Sequence, residues 1–229
     1  MYNIGEVIKV EKVFALIGDI IDSKSLKNRK DIQNNLHKLL DGLNQKYESS
    51  IVSNLTLTLG DEFQGLFKDV ECVLLVMDEI NLTLSLKGIN VRFGVGYGEI
   101  TTDINPELSI GADGEAFWFA RDAITHIRKY HFSQRANERI ELEDQNNIEF
   151  YNSVLLVQNA LRASWITSQK ELALTVIQSS GYEPIQYDTI MKKMDLSSQS
   201  LSNRIGAASI TQYIRGRKHL AKHIEKSVK

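Results

Sequence analysis

Apolar positions along the 229-residue chain recur at two periods, and the switches between them mark the elements. The run "KVFALIGDII" (12–21) is apolar almost throughout and stops at Asp22-Ser23, which predicts a strand buried on both faces. From Leu26 to Tyr47 the residues Ile32, Leu36, Leu39, Leu40 and Leu43 step by three and four, the stripe of an amphipathic helix. Residues 51–67 run apolar, break at Gly60-Asp61 and return apolar, which predicts a hairpin with Asp61 near its tip. Val70 to Leu86 has the length and period of a helix. In "INVRFGVGYGEITT" (89–102) Val91, Phe93, Val95 and Tyr97 alternate with glycines from position 94, so either something approaches this strand closely or it bulges. A helix over 115–131 and a short strand "RIELE" follow. The order β-α-β-β-α-β and then α-β predicts an α+β fold, a ferredoxin-like, palm-type antiparallel sheet backed by helices.

Beyond residue 150 the period is helical only. Residues 150–165 form a helical link, and "WITSQKELALTVIQSS" (165–180) is a helix punctuated by Gly181 and Pro184. A short helix "YDTIMKKM", a turn "DLS" and a second helix "SQSLSNRIGAAS" then give the spacing of a helix-turn-helix. Ile190, Leu196, Leu201 and Ile205 face inward and Ser197 caps the second helix. Ser198, Gln199, Ser202, Asn203 and Arg204 are left to face a DNA groove. Two domains are expected: a palm domain over 1–150, and over 151–229 a helical linker with an all-α, winged helix-turn-helix domain.

Composition and charge bound the function. A chain 42% hydrophobic and 24% charged is globular. It contains no run of about eighteen apolar residues and no basic-then-apolar leader, so a cytoplasmic protein with no membrane partner is expected. The single cysteine, Cys72, reads as part of a buried helix face and excludes an internal disulfide or a cysteine-based zinc site. Nucleophile-elbow, P-loop and Cys-His patterns are missing, so those chemistries have no support. The net charge of −2 conceals 17 basic against 24 acidic side chains over 1–164 and 10 against 5 over 165–229. An acidic part and a basic part are suited to different partners.

Candidate chemistry centres on "LIGD" and "TLGD", two apolar strands that each end in a carboxylate. If the strands are neighbours, Asp19 and Asp61 can converge on one Mg2+ or Mn2+, because hard oxygen ligands suit those cations. The competing reading is a pair of ordinary Gly-Asp turns.

The motifs around these carboxylates resemble those of class III nucleotide cyclases. "ALIGDI" is similar to their first-strand motif, "GDEFQGLF" to their second-carboxylate hairpin and "GVGYGEI" to their glycine-rich strand. "GDEF" also echoes the diguanylate cyclases, which share the palm. The resemblance implies a metal at Asp19 and Asp61, with Ile20, Gly60, Gly94 and Arg121 around a nucleotide and its phosphates. It also has gaps: Leu57 stands where those enzymes carry a base-reading lysine, and Trp118 with a shifted Arg121 replaces their Asn…Arg pair. Cyclase turnover is therefore not expected. The chain as a whole more closely resembles the SatD family of small bacterial proteins, through "IGDII", "TLTLGDEFQG", "RFGVGYGEI" and "DGEAFWFAR".

Further groups carry two readings each. Ser109, Asp113, Glu115 and Arg121 form either a phosphate-accepting helix N-terminus or a solvated, capped loop. Lys24, Lys27, Arg29 and Lys30 are either phosphate ligands or a charged helix start, and Arg92 and Glu99 read as solvent-facing partners. His219 and His223 have a zinc-compatible spacing, but "RGRKHLAKHIEKSVK" reads more simply as a basic solvated helix or phosphate-contacting tail. The expectation is a homodimeric, DNA-binding bacterial regulator whose degenerate cyclase-like unit binds a nucleotide with Mg2+. The alternatives are a cyclase-like or phosphotransfer enzyme using Asp19 and Asp61, and a non-catalytic scaffold.

Overall fold

The protein is described by a computed structural model over residues 12–23, 29–58, 60–134 and 136–228. Its elements follow the predicted order: β1 (Val13–Ile20), α1 (Arg29–Lys46), β2 (Ile51–Leu57), β3 (Glu62–Phe67), α2 (Val70–Ser85), β4 (Val91–Gly98), α3 (Glu115–Gln134) and β5 (Glu138–Glu141). The helices α4 (Ile148–Ala163), α5 (Thr167–Ser180), α6 (Tyr187–Met194), α7 (Ser198–Ala207) and α8 (Ile210–Val228) complete the chain.

The strands form one sheet in the order β2-β3-β1-β4-β5. In the first four each strand is antiparallel to its neighbour, which is the ferredoxin-like arrangement, and β5 adds in parallel beside β4. β1 is central and buried at every position, as its unbroken apolar run requires.

Alternation along β1 separates two cores. Phe14 and Leu16 point to the side of α1 and α2, where Leu36, Leu40, Val73 and Met77 pack against them. Val13, Ala15 and Ile17 point to the other side, onto Ala116, Phe117, Ala120 and Ile124 of α3. Gly18, on the first side, makes room for Phe63: a Cβ there would lie 2.0 Å from the phenyl ring.

The first core does not stop at the expected boundary near residue 150. It continues through Tyr151, Leu155, Leu172, Val176, Tyr213 and Leu220 to Ile224, so the C-terminal helices share a core with the sheet. Four charged side chains sit inside this shared region, each nearly or wholly removed from solvent: Asp78 of α2, Glu138 of β5, Arg162 of α4 and Arg217 of α8. Arg217 donates to Asp78 at 2.7 Å and to Glu138 at 2.8 Å, while Arg162 donates to Asp78 at 2.9 Å and pairs with Glu138. Tyr182 and Tyr213 each add a 2.6 Å hydrogen bond to Asp78. Burial pushes the Asp78 carboxyl up, but Arg217 and Arg162 outweigh it and hold the group below the usual carboxylate range. Burial raises both tyrosine hydroxyls, which stay protonated as donors.

Two expectations need correction here. α8 is not a solvated basic tail: Ile210, Tyr213, Ile214, Arg217, Leu220, Ala221 and Ile224 form its buried face. Among the described residues no strand follows Glu141, so the C-terminal part has no wing. No helix of the described residues is long and apolar enough to cross a membrane.

Removing one partner from this network strands a buried charge, which costs about 3–5 kcal/mol. Urea unfolding at pH 7 is expected to show a loss of that size for Arg217→Ala. Because the folded Asp78 pKa is depressed, its contribution is complete above the unfolded value of about 3.9 and is lost as pH falls through the lower folded value. The stability gap between wild type and Asp78→Asn should therefore narrow as the pH is taken below about 4.

Candidate functional site

Asp19 is the penultimate residue of β1 and faces the α3 side of the sheet, by alternation from Ile17. Its register partners are Glu62 on β3 and Arg92 on β4. Asp61 occupies the β2–β3 turn next to it, and its carbonyl accepts the Ile20 N–H at 3.2 Å. The two carboxylate-bearing residues thus stand at adjacent strand ends, as the hairpin reading predicts. Gly60 supports this turn with φ +76°, a left-handed conformation that side chains disfavour, and its carbonyl accepts a hydrogen bond from Gln33 of α1 at 2.5 Å. Thr58 closes the turn through its N–H to Glu62 O, 2.8 Å.

The glycine strand explains what reaches Asp19 from the other direction. Gly94, Gly96 and Gly98 face α3, whose backbone lies directly on them. A Cβ at Gly98 would meet Glu115 Cβ at 2.6 Å, one at Gly96 would meet Ala116 O at 2.1 Å, and one at Gly94 would meet Ala120 O at 2.3 Å. Two strand residues rise about 6.6 Å and four helix residues about 6 Å, so helix and strand stay in step as they run in opposite directions. The next step pairs strand position 92 with helix position 128. Arg128 Nη2 indeed donates to Asp19 Oδ2 at 2.9 Å, and Arg92 Nε lies 3.1 Å from the same oxygen.

Asp19 is thus a buried carboxylate, its side chain 10% exposed, held by two guanidinium groups. Arg92 is 15% exposed, and its Nε makes the ion pair without the alignment of a hydrogen bond. Arg128 is 50% exposed. By donor chemistry Asp19 and Asp61 fit Mg2+ or Mn2+. Among the described residues no three His, Cys, Asp or Glu side chains converge as a ready-made cation cage, so bound phosphate oxygens or water would have to complete the shell.

The other expected ligands are arranged differently. The Ile20 N–H is taken by Asp61, and Gly94 is filled by Ala120 and Ile124 rather than left open to a nucleotide. Arg121 is on the exposed side of α3, where with Trp118 it hydrogen-bonds Asp113. The Arg121 hydrogen bond holds the Asp113 carboxyl below its ordinary range. Ser109 is fully buried and structural: its Oγ donates to Gln64 O while Gln64 donates to Ser109 O. Arg92 is not solvent-facing. Leu57, in place of the base-reading lysine, pairs with Phe63 in the hairpin register and packs against the core. Lys24 and Lys27 lie outside the described residues.

In the C-terminal part, Ser197 Oγ accepts the Ser200 N–H and caps α7. Leu201 and Ile205 are buried, whereas Ser198, Gln199, Ser202, Asn203 and Arg204 are all exposed. A cleft of about 510 Å³ between residues 182–187 and α8 shares no residue with the Asp19 site.

Residues 13–224 match the family model described as the SatD family. The chain belongs to the SatD family. No curated protein matches it. Among solved structures, this SatD protein is similar to a bacterial light-regulated adenylyl cyclase, with a TM-score of 0.41 at 14% identity, over 57% of this chain and 43% of that one. Adenylate cyclases from Trypanosoma brucei give 0.38 at 14% identity over 51% and 68%. The guanylyl cyclase domain of the RhoGC fusion protein from Blastocladiella emersonii gives 0.37 at 19% identity over 50% and 73%. The SatD chain thus spans less than half of the first of these proteins, and its architecture rests on its own strand order and register.

A Cβ at Gly96 would collide with helix backbone, not with a flexible side chain. Gly96→Ala is expected to destabilise the protein by about 1–3 kcal/mol in chemical denaturation, because α3 has to move as a body.

Proposed function

We propose that this SatD protein is a DNA-binding regulator whose palm unit binds a nucleotide with Mg2+. The observation that carries the DNA half is α7, a capped helix joined to α6 by a three-residue turn, with Leu201 and Ile205 buried and five polar residues exposed. Gln199 and Asn203 are amide side chains able to hydrogen-bond base edges, and Arg204 suits a guanine or a phosphate. The net charge of +5 over residues 165–229 supplies modest non-specific attraction, so binding should be strongly salt-dependent. A homodimer would present two copies of α7 to two half-sites.

The nucleotide half rests on Asp19 and Asp61 at adjacent strand ends. In this reading the two carboxylates hold the cation, and the cation supplies charge neutralisation for bound phosphates. Asp61 at the hairpin tip and Asp19 at the end of β1 fix where the phosphates lie. Leu57 cannot hydrogen-bond a purine edge, which favours a sensor over a cyclase.

Both halves are testable on the full chain, which is required because its core is shared. Thermal unfolding with Mn2+ and ATP at about a hundred times the dissociation constant should show stabilisation of about 2.7 kcal/mol in wild type and none in Asp19→Asn or Asp61→Asn. An absent shift in wild type would overturn the nucleotide reading. In fluorescence anisotropy with labelled genomic DNA fragments, Asn203→Ala and Arg204→Ala should each weaken specific binding by about 1–3 kcal/mol. Unchanged affinity in both variants would remove α7 from the groove.

A further inference from the structure

We propose that Arg128 is a phosphate-binding residue that rests on Asp19 until a metal–nucleotide complex arrives. The inference deepens the nucleotide reading above and rests on it. A cation and a guanidinium cannot share Asp19 Oδ2, since their like charges repel at contact distance. Both arginines sit on Oδ2, so a cation that takes this oxygen displaces the one freer to move. Arg92 is strand-borne, 15% exposed and fixed by the β1–β4 register, whereas Arg128 is half exposed on a helix surface and can turn away without leaving solvent. Phosphate oxygens gathered on a metal at Asp19 then lie within the sweep of the released side chain, and a guanidinium matches them through paired N–H donors. Arg128 thus exchanges one anion for another, Asp19 for phosphate, and no bond is made or broken.

The same position explains why Arg121 is not needed for this task. Arg121, seven residues before Arg128 on α3, is paired with Asp113, while Arg128 occupies the helix step that overlies Asp19. The exchange predicts opposite effects on two ligands. Without Arg128 the bare metal loses a competitor, and the metal–nucleotide complex loses a partner.

The test is Mn2+ titration of the full chain by electron paramagnetic resonance, with and without ATP, on wild type, Arg128→Gln, Arg128→Lys and Lys129→Gln. Arg128→Gln should bind Mn2+ alone about tenfold more tightly and Mn2+-ATP about tenfold more weakly, each a coupling of ordinary size. Arg128→Lys keeps the charge but not the paired donors, so it should bind Mn2+ alone as wild type does and Mn2+-ATP less tightly. Lys129→Gln, the same charge change on the exposed neighbour, should alter neither. If wild type binds Mn2+-ATP and both Arg128 variants bind the two ligands as wild type does, Arg128 is structural only and the exchange is wrong. If wild type binds neither ligand, the metal–nucleotide reading itself fails.

Discussion

Asp78, Glu138, Arg162 and Arg217 meet in the interior with their charges balanced, and that meeting ties α4 and α8 to the sheet and α2. The four come from α2, β5, α4 and α8, so the cluster joins the sheet and its helices to the C-terminal half. Two carboxylates and two guanidinium groups would be prohibitively costly to bury singly. Together, with two tyrosine hydroxyls and Asn159 adding hydrogen bonds, they offset one another, although Arg217 Nη1 is buried without a hydrogen-bond partner among the described residues. Apolar packing tolerates sliding, whereas the directional hydrogen bonds of this network hold one arrangement. The orientation of α8 against α2 is therefore specified by hydrogen-bond geometry as well as by area.

A second constraint acts on the other face of the sheet. Gly94, Gly96 and Gly98 let α3 lie on β4 backbone to backbone, closer than any side chain would allow. Such contact turns the helix into a ruler whose four-residue steps match two-residue steps of the strand. Ala116, Ala120 and Ile124 fill the first steps, and the series carries Arg128 onto Asp19. The glycines are thus remote determinants of the carboxylate's environment. They act by bringing a cation to it, not by contacting a ligand themselves.

The exposed side of α7 depends on both constraints at one remove. α7 packs on α5, α6 and α8, and Trp165 Nε1 donates to Ala208 O at its C-terminal end at 2.8 Å. Since α8 is locked to α2 by Arg217, α7 is carried on a frame continuous with the sheet that bears Asp19. The two polar surfaces of the molecule are parts of one packed body.

Much of this was legible in the sequence. Periodicity placed the strands, the hairpin with Asp61 at its turn, and the α6–turn–α7 unit, because period and capping are local properties fixed by neighbours within a few residues. A charged pair inside the apolar helix "VLLVMDEINLTL" was a readable sign that Asp78 or Glu79 would need a buried partner, but nothing local named it. The partners of Asp19 and Asp78 stand 109 and 139 residues away, at Arg128 and Arg217. The sequence by itself determined which elements form, which faces are apolar and where carboxylates end strands. Only the tertiary structure decided that α8 is core, that the glycines receive a helix and that Asp19 is shared by two arginines, because pairing between distant charges depends on register and desolvation, which exist only after the elements have packed.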